Sequence, residues 1–204
     1  MLVQMRLLLM PTLYALKPGF KRLLRPIVKR IAALGITANQ ITIATGVASI
    51  ALGWYLTAKH RGWILLPVFL FTRMALNAID GMLALEHGQK SRLGAVLNEL
   101  SDVLSDAALT LPIATLQGWN PLAVAAAIFF VALTEMAGML GPMIGSARRY
   151  DGPFGKSDRA LVWGFFGAWL ALGWPVNAWV QEWAPVIWIV LCCATIVQRV
   201  RRAL

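Results

Sequence analysis

The sequence predicts an all-α integral membrane protein, six transmembrane helices preceded by an N-terminal amphipathic helix lying in the interface. Three observations carry this. Hydrophobic residues make up 59% of the 204-residue chain and charged residues only 14%, whereas a soluble domain holds about 45–50% and about 25%. Six apolar stretches approach the ~20 residues that a hydrocarbon core of about 30 Å requires. Basic residues gather on one side of those stretches. A soluble enzyme, a secreted disulfide scaffold and a disordered regulator are excluded.

The first element is the segment Leu13–Leu34. Leu13, Leu16, Phe20, Leu23, Leu24, Ile27 and Ile31 recur at helical spacing, with Lys and Arg between them. Such a helix lies on anionic lipid, gaining about 1 kcal/mol per basic residue near the surface. Met1–Met10 is too short for a cleavable signal. The expected spans follow at Ala38–Ala58, Trp63–Leu85, Gly94–Leu116, Pro121–Ile144, Ala160–Trp174 and Val176–Val197. With no repeat and no linker, the chain reads as one domain over residues 1–204, a juxtamembrane helix in 1–36 and a six-helix bundle in 37–198. Cys192 and Cys193 are adjacent in an apolar run and read as small hydrophobes.

Topology follows from the cations. Arg6, Lys17, Lys21, Arg22, Arg25, Lys29 and Arg30 precede the first span; Lys90, Arg92, Arg148, Arg149, Lys156 and Arg159 fill the second and fourth loops; Arg199, Arg201 and Arg202 close the tail. The opposite side has only Lys59 and Arg61, and Arg73 falls inside the second span. Both termini are therefore expected in the cytoplasm. This distribution accounts for the net charge of +10 without nucleic acid.

Acidic and amide residues at membrane depth mark a site by default. Asn77 and Asp80 are three apart, and Asn98, Asp102 and Asp106 recur at steps of four, so each set shares a helix face. The short basic loop Glu86–Arg92 makes the two helices an expected antiparallel pair with facing polar sides. Oxygen donors of this kind suit Mg²⁺, Mn²⁺ or Ca²⁺. His60 and His87 lie in opposite loops, which argues against zinc. A merely structural use, polar groups satisfying one another between helices, explains the convergence less well.

The run Asn77-Ala-Ile-Asp80-Gly81-Met-Leu-Ala84-Leu85, followed by Gly94-Ala-Val-Leu-Asn98-Glu-Leu-Ser-Asp102, resembles the signature of the CDP-alcohol phosphotransferases, D-x2-D-G-x2-A-R-x8-G-x3-D-x3-D. Every spacing matches. Asn77 and Asn98 stand where the family has Asp, and Leu85 where it has Arg. Gly35-Ile-Thr37-Ala38-Asn39-Gln-Ile41-Thr42 resembles the family's entry to the first span, with Ala38 in place of Pro, and Gly155-Lys156 resembles its Gly-Lys element. The chain is also similar to a bacterial inner-membrane subgroup with the same two Asn replacements.

The resemblance implies that a CDP-alcohol such as CDP-diacylglycerol gives its phosphoryl-linked group to an alcohol with release of CMP. It implies Mg²⁺ or Mn²⁺, two ions in the family, bridged by the first and third acidic positions, and a homodimer. On it rest the expected metal ligands Asn77, Asp80, Asn98, Asp102 and Asp106, with Asp102 as base. The expected nucleotide and diphosphate set is Asn39, Thr42, Asn77, Asp80, Gly81, Ala84, Gly94 and Asn98. The small Gly81 would let the donor approach the backbone. With two carboxylates missing, either one ion suffices or Asp106 and Glu99 supply charge; a CDP-lipid-binding pseudoenzyme or scaffold subunit is the alternative. Arg148, Arg149, Lys156 and Arg159 suit a phosphorylated acceptor such as glycerol 3-phosphate, and Glu135 is expected to bind a hydroxyl or to fix one of these arginines.

Overall fold

The computed structural model describes residues 17–204; Leu13 and Leu16 of the amphipathic pattern lie outside them. Seven helices follow in order: α1 (Lys17–Ala33), α2 (Ala38–Lys59), α3 (Leu65–Glu86), α4 (Arg92–Ala114), α5 (Pro121–Met143), α6 (Lys156–Ala171) and α7 (Ala178–Ala203). No strand occurs among the described residues. Helix boundaries fall within a few residues of the hydropathy pattern; α7 runs on to Ala203. Four helices, α2, α3, α5 and α7, are long and apolar enough to cross a membrane. α4 carries Arg92, Glu99, Asp102 and Asp106, and α6 has 16 residues.

Local chemistry sets the helix ends. Gly35, with φ at +74°, ends α1, and Thr37 then caps α2 in a reciprocal bond with Gln40. Ser91 caps α4 by accepting from the Gly94 amide at 2.9 Å. Asn120 and Asn177 do the same for α5 and α7.

The helix order in space depends on small residues. α2 packs against both α3 and α4, α4 against α5, α5 against α7, and α3 against α6. A Cβ on Gly46 would meet Ser101 Oγ at 2.7 Å, and one on Gly53 would run into the Ala108 carbonyl. These glycines let α2 and α4 approach backbone to backbone, as small residues do in membrane bundles. α3 and α4, expected as a close pair, are not close-packed. Polar side chains span the space between them instead.

The two ends of the bundle differ. One holds an aromatic core in which Trp188 stacks on Trp119 at 5.8 Å and meets Trp163 edge-on at 4.4 Å, with Leu56, Leu66, Leu109 and Ile113 buried around them. The other holds nearly all the buried charge. There α1 lays Leu24 and Val28 on Ile79, Met82 and Leu83 of α3, while its Leu23 and Ile27 stay exposed. Arg25 pairs with Glu86 across this contact at 3.1 Å.

Candidate active site between α3 and α4

The motif carboxylates face the space between α3 and α4. Asp80 is 5% exposed. Its Oδ2 accepts a hydrogen bond from Thr42 of α2 at 2.8 Å, and among the described residues no cation lies within ion-pair distance of it. A buried carboxylate with one hydroxyl partner is poorly compensated. Asp102, 8% exposed, is the opposite case. Its Oδ1 receives Lys156 Nζ, Asn77 Nδ2 at 3.4 Å and Arg73 at 3.4 Å.

This oxygen-only donor set fits a hard divalent cation. Asp80 has no cation in direct contact, although the charge of Lys156 acts on it through space, and the ammonium of Lys156 sits against Asp102. Asn77 and Asn98 offer amide oxygens, and both are half-buried. Among the described residues, however, no three of His, Cys, Asp and Glu form a metal-binding cluster.

The small motif residues divide by role. A Cβ on Gly81 would meet nothing within 4 Å, so the chain's own packing does not require glycine there. Gly94 is different: a Cβ would meet Asn39 Oδ1 at 2.7 Å and Ser91 Oγ at 3.0 Å. Gly94 thus seats Asn39 at the start of α4. Ala84 is half-buried beside the α1–α3 contact. Gln89 secures the α2 entry by accepting from the Ala38 amide at 2.7 Å.

Asp106 points the same way as Asp102 but meets other partners. Its Oδ1 accepts from Arg73 at 2.6 Å and its Oδ2 from Arg159 at 2.8 and 3.1 Å. Both oxygens face permanent cations, an environment that disfavours a further one. Arg159, expected at the acceptor, is 1% exposed. It also bonds Thr134, the Phe154 carbonyl and Glu135, so no free donor fork faces outward.

Glu135 is the hub of this second region. Arg159 lies 2.8 Å from it, Arg148 3.6 Å and Arg199 3.6 Å. Arg148 also pairs with Glu99 and stacks on Tyr150 at 4.6 Å. Arg149 faces Asp151 at 3.4 Å. Arg199 bonds the Thr134 and Asp151 carbonyls although its position in a basic tail suggests a solvated charge. Arg73 and Arg199 are the residues that sequence reasoning missed. Arg73 had one available signal, an arginine inside an apolar span; Arg199 had none, being spaced like its exposed neighbours Arg201 and Arg202.

The CDP-alcohol phosphatidyltransferase family model matches residues 35–197. Inner membrane protein YnbA of Escherichia coli K12 is 46% identical over 179 residues, 87% of each chain. The archaetidylinositol phosphate synthase of Pyrococcus horikoshii is 34% identical over 99 residues, 48% of this chain and 52% of that one. Phosphatidylinositol phosphate synthase of Mycobacterium tuberculosis shares the fold in two crystal structures, each 18% identical. The one with CDP-DAG bound has a TM-score of 0.70 over 89% of this chain and 94% of that one. The one with manganese and citrate has a TM-score of 0.68 over 87% of each. The chain belongs to the CDP-alcohol phosphatidyltransferase family, whose members are phospholipid-synthesising membrane transferases.

Proposed function

We propose that this chain transfers the phosphatidyl group of a CDP-linked lipid, CDP-diacylglycerol foremost, to the hydroxyl of an alcohol. The observation that carries the reading is the pair of Asp80, buried without a cation in contact, and Asp102, capped by the movable Lys156, on facing helices. The acceptor oxygen bonds to the phosphorus that carries the lipid. The bond from that phosphorus to the bridging oxygen breaks, and CMP leaves with that oxygen. A divalent cation, Mg²⁺ or Mn²⁺, draws charge from the diphosphate and aligns it for in-line attack when bound.

The chain's own groups do the rest. Asp80 and Asp102 hold the cation with the amide oxygens of Asn77 and Asn98. Asn39, Thr42, Gly81, Ala84 and Gly94 form the donor side, where open space at Gly81 admits the diphosphate close to the backbone. Asp102 takes the acceptor's hydroxyl proton. Lys156, on Asp102 Oδ1 here, would supply positive charge to the departing phosphate. Arg148 and Arg149 line the acceptor side, held by Glu99, Glu135 and Asp151. In this reading Asp106 and Arg159 support the site without touching substrate, a revision of the ligand and acceptor sets expected from sequence.

The same reading places six helices, α2–α7, across the bacterial inner membrane, with α1 in the interface. Both termini and the site are then cytoplasmic, where the donor's cytidine diphosphate head group and a water-soluble acceptor meet while acyl chains stay in lipid. A homodimer is part of the proposal by family likeness.

Release of labelled CMP from CDP-diacylglycerol tests it, with Mg²⁺ or Mn²⁺ and with glycerol 3-phosphate or an inositol phosphate as acceptor, the latter because the chain is similar to an archaetidylinositol phosphate synthase and a phosphatidylinositol phosphate synthase. Acceptor-dependent CMP is expected. Donor binding with no CMP from any acceptor would favour the second reading, a non-catalytic CDP-lipid-binding subunit, which the neutral Asn77 and Asn98 support.

A further inference from the structure

Arg73 is the unexplained charge in this site. It lies one turn before Asn77 on α3 and is 4% exposed. One terminal nitrogen bonds Asp106 Oδ1 at 2.6 Å; the other reaches the Asp102 carbonyl at 3.2 Å and Asp102 Oδ1 at 3.4 Å. Its Nε is buried without a partner. Burying a guanidinium at membrane depth is costly, so its placement between two motif-face carboxylates calls for a cause.

Charge supplies one. The four motif positions carry two carboxylates, Asp80 and Asp102, and two amides, Asn77 and Asn98. The family pattern that they resemble carries four carboxylates there. Replacing two carboxylates with amides and omitting one dication leaves the net charge around the diphosphate unchanged. Asn77 and Asn98 stand at the bridging positions, and a neutral amide oxygen bridges two dications poorly. Arg73, itself balanced by Asp106, puts a buried positive charge on one flank of Asp102, which disfavours a further cation there.

We propose that this site takes one divalent cation rather than two, and that Arg73 closes the second place by holding the flank of Asp102. The inference rests on the cation-dependent reading above and makes Arg73 a positioning residue. Its test is ion counting on the full-length chain in detergent, by Mn²⁺ titration with electron paramagnetic resonance.

The native chain should bind one Mn²⁺ with an uncoupled spectrum, as should Arg73→Lys, which keeps the charge. Asn77→Asp with Asn98→Asp should add a second ion at least ten-fold weaker than the first. Adding Arg73→Gln to that pair should bring the second ion to within a few-fold of the first, with a spin-coupled signal. Two tight coupled ions in the native chain, no ion at all, or a second ion equally tight with and without Arg73 would each overturn the proposal. If the triple variant does not fold, the native chain and the two-Asp variant still decide the ion count, and Arg73→Met in place of Arg73→Gln decides the role of Arg73. Ion counting needs no turnover, so failure of the transferase reading shows as missing CMP while the ion count stands.

Discussion

Asp102 and Asp106 stand one turn apart on one face of α4, each among cations, but the cations differ. Asp106 is clamped through both oxygens by Arg73 and Arg159, whose side chains are 4% and 1% exposed. Asp102 receives both of its cations on one oxygen, Arg73 at 3.4 Å and Lys156, whose side chain is one-third exposed. A guanidinium fork packed into the bundle is a fixed partner; an ammonium on a flexible stem can withdraw. The same residue type at the same helical phase is thus clamped through both oxygens in one turn and held through one oxygen in the next. The difference teaches that the facing elements, not the helix that bears a carboxylate, decide its role.

The comparison can be broken at several points. Asp106→Ala should have the largest effect on folding. It leaves Arg73 and Arg159 short of counter-charge, and loss of one partner in a buried network costs about 3–5 kcal/mol. Thermal unfolding in detergent would read this. Gly53→Leu should follow at about 1–3 kcal/mol in the same assay, because backbone of α4 cannot yield where the Cβ of α2 would enter. Lys156→Met should cost about 1 kcal/mol of stability, because Arg73 stays on Asp102 as a counter-charge, yet lower the rate of CMP release. Gly81→Ala should be the mildest, within about 0.5 kcal/mol, since open space receives the methyl group. Gly81→Leu sharpens the contrast: it should fold normally but lose CDP-diacylglycerol binding, measured by equilibrium dialysis. Normal donor binding in that variant would remove Gly81 from the donor side.

Much of this was legible in the chain. Hydropathy located all six helices after α1 to within a few residues, because apolar length is a local property. Spacing placed Asn77, Asp80, Asn98 and Asp102 on two polar faces, because helical phase is local too. What spacing could not reveal was what those faces meet. Lys156 reaches Asp102 from 54 residues away and Arg159 reaches Asp106 from 53. The four-residue step from Asp102 to Asp106 suggested one shared cation, whereas two arginines from separate helices had claimed the second carboxylate. A short loop between α3 and α4 likewise implied close packing; instead Gly46 and Gly53 bring α2 against α4, and the polar space opens beside it. Arg199, buried against Thr134 from what reads as a basic tail, shows the same limit.

The central claim is that Asp102, unlike Asp106, does chemistry. Asp102→Asn keeps the side chain's size and can still accept from Arg73, so stability should fall by less than in Asp106→Ala, which removes both acceptors. A lost general base should lower acceptor-dependent CMP release by about 10²–10⁴-fold. The direct measurement is CMP release by the purified Asp102→Asn protein, with its unfolding midpoint and Mn²⁺ binding taken on the same sample. A folded, ion-binding protein with that loss of rate is the result expected here. A folded, ion-binding protein that releases CMP at the native rate would contradict it and move the proton transfer to another group.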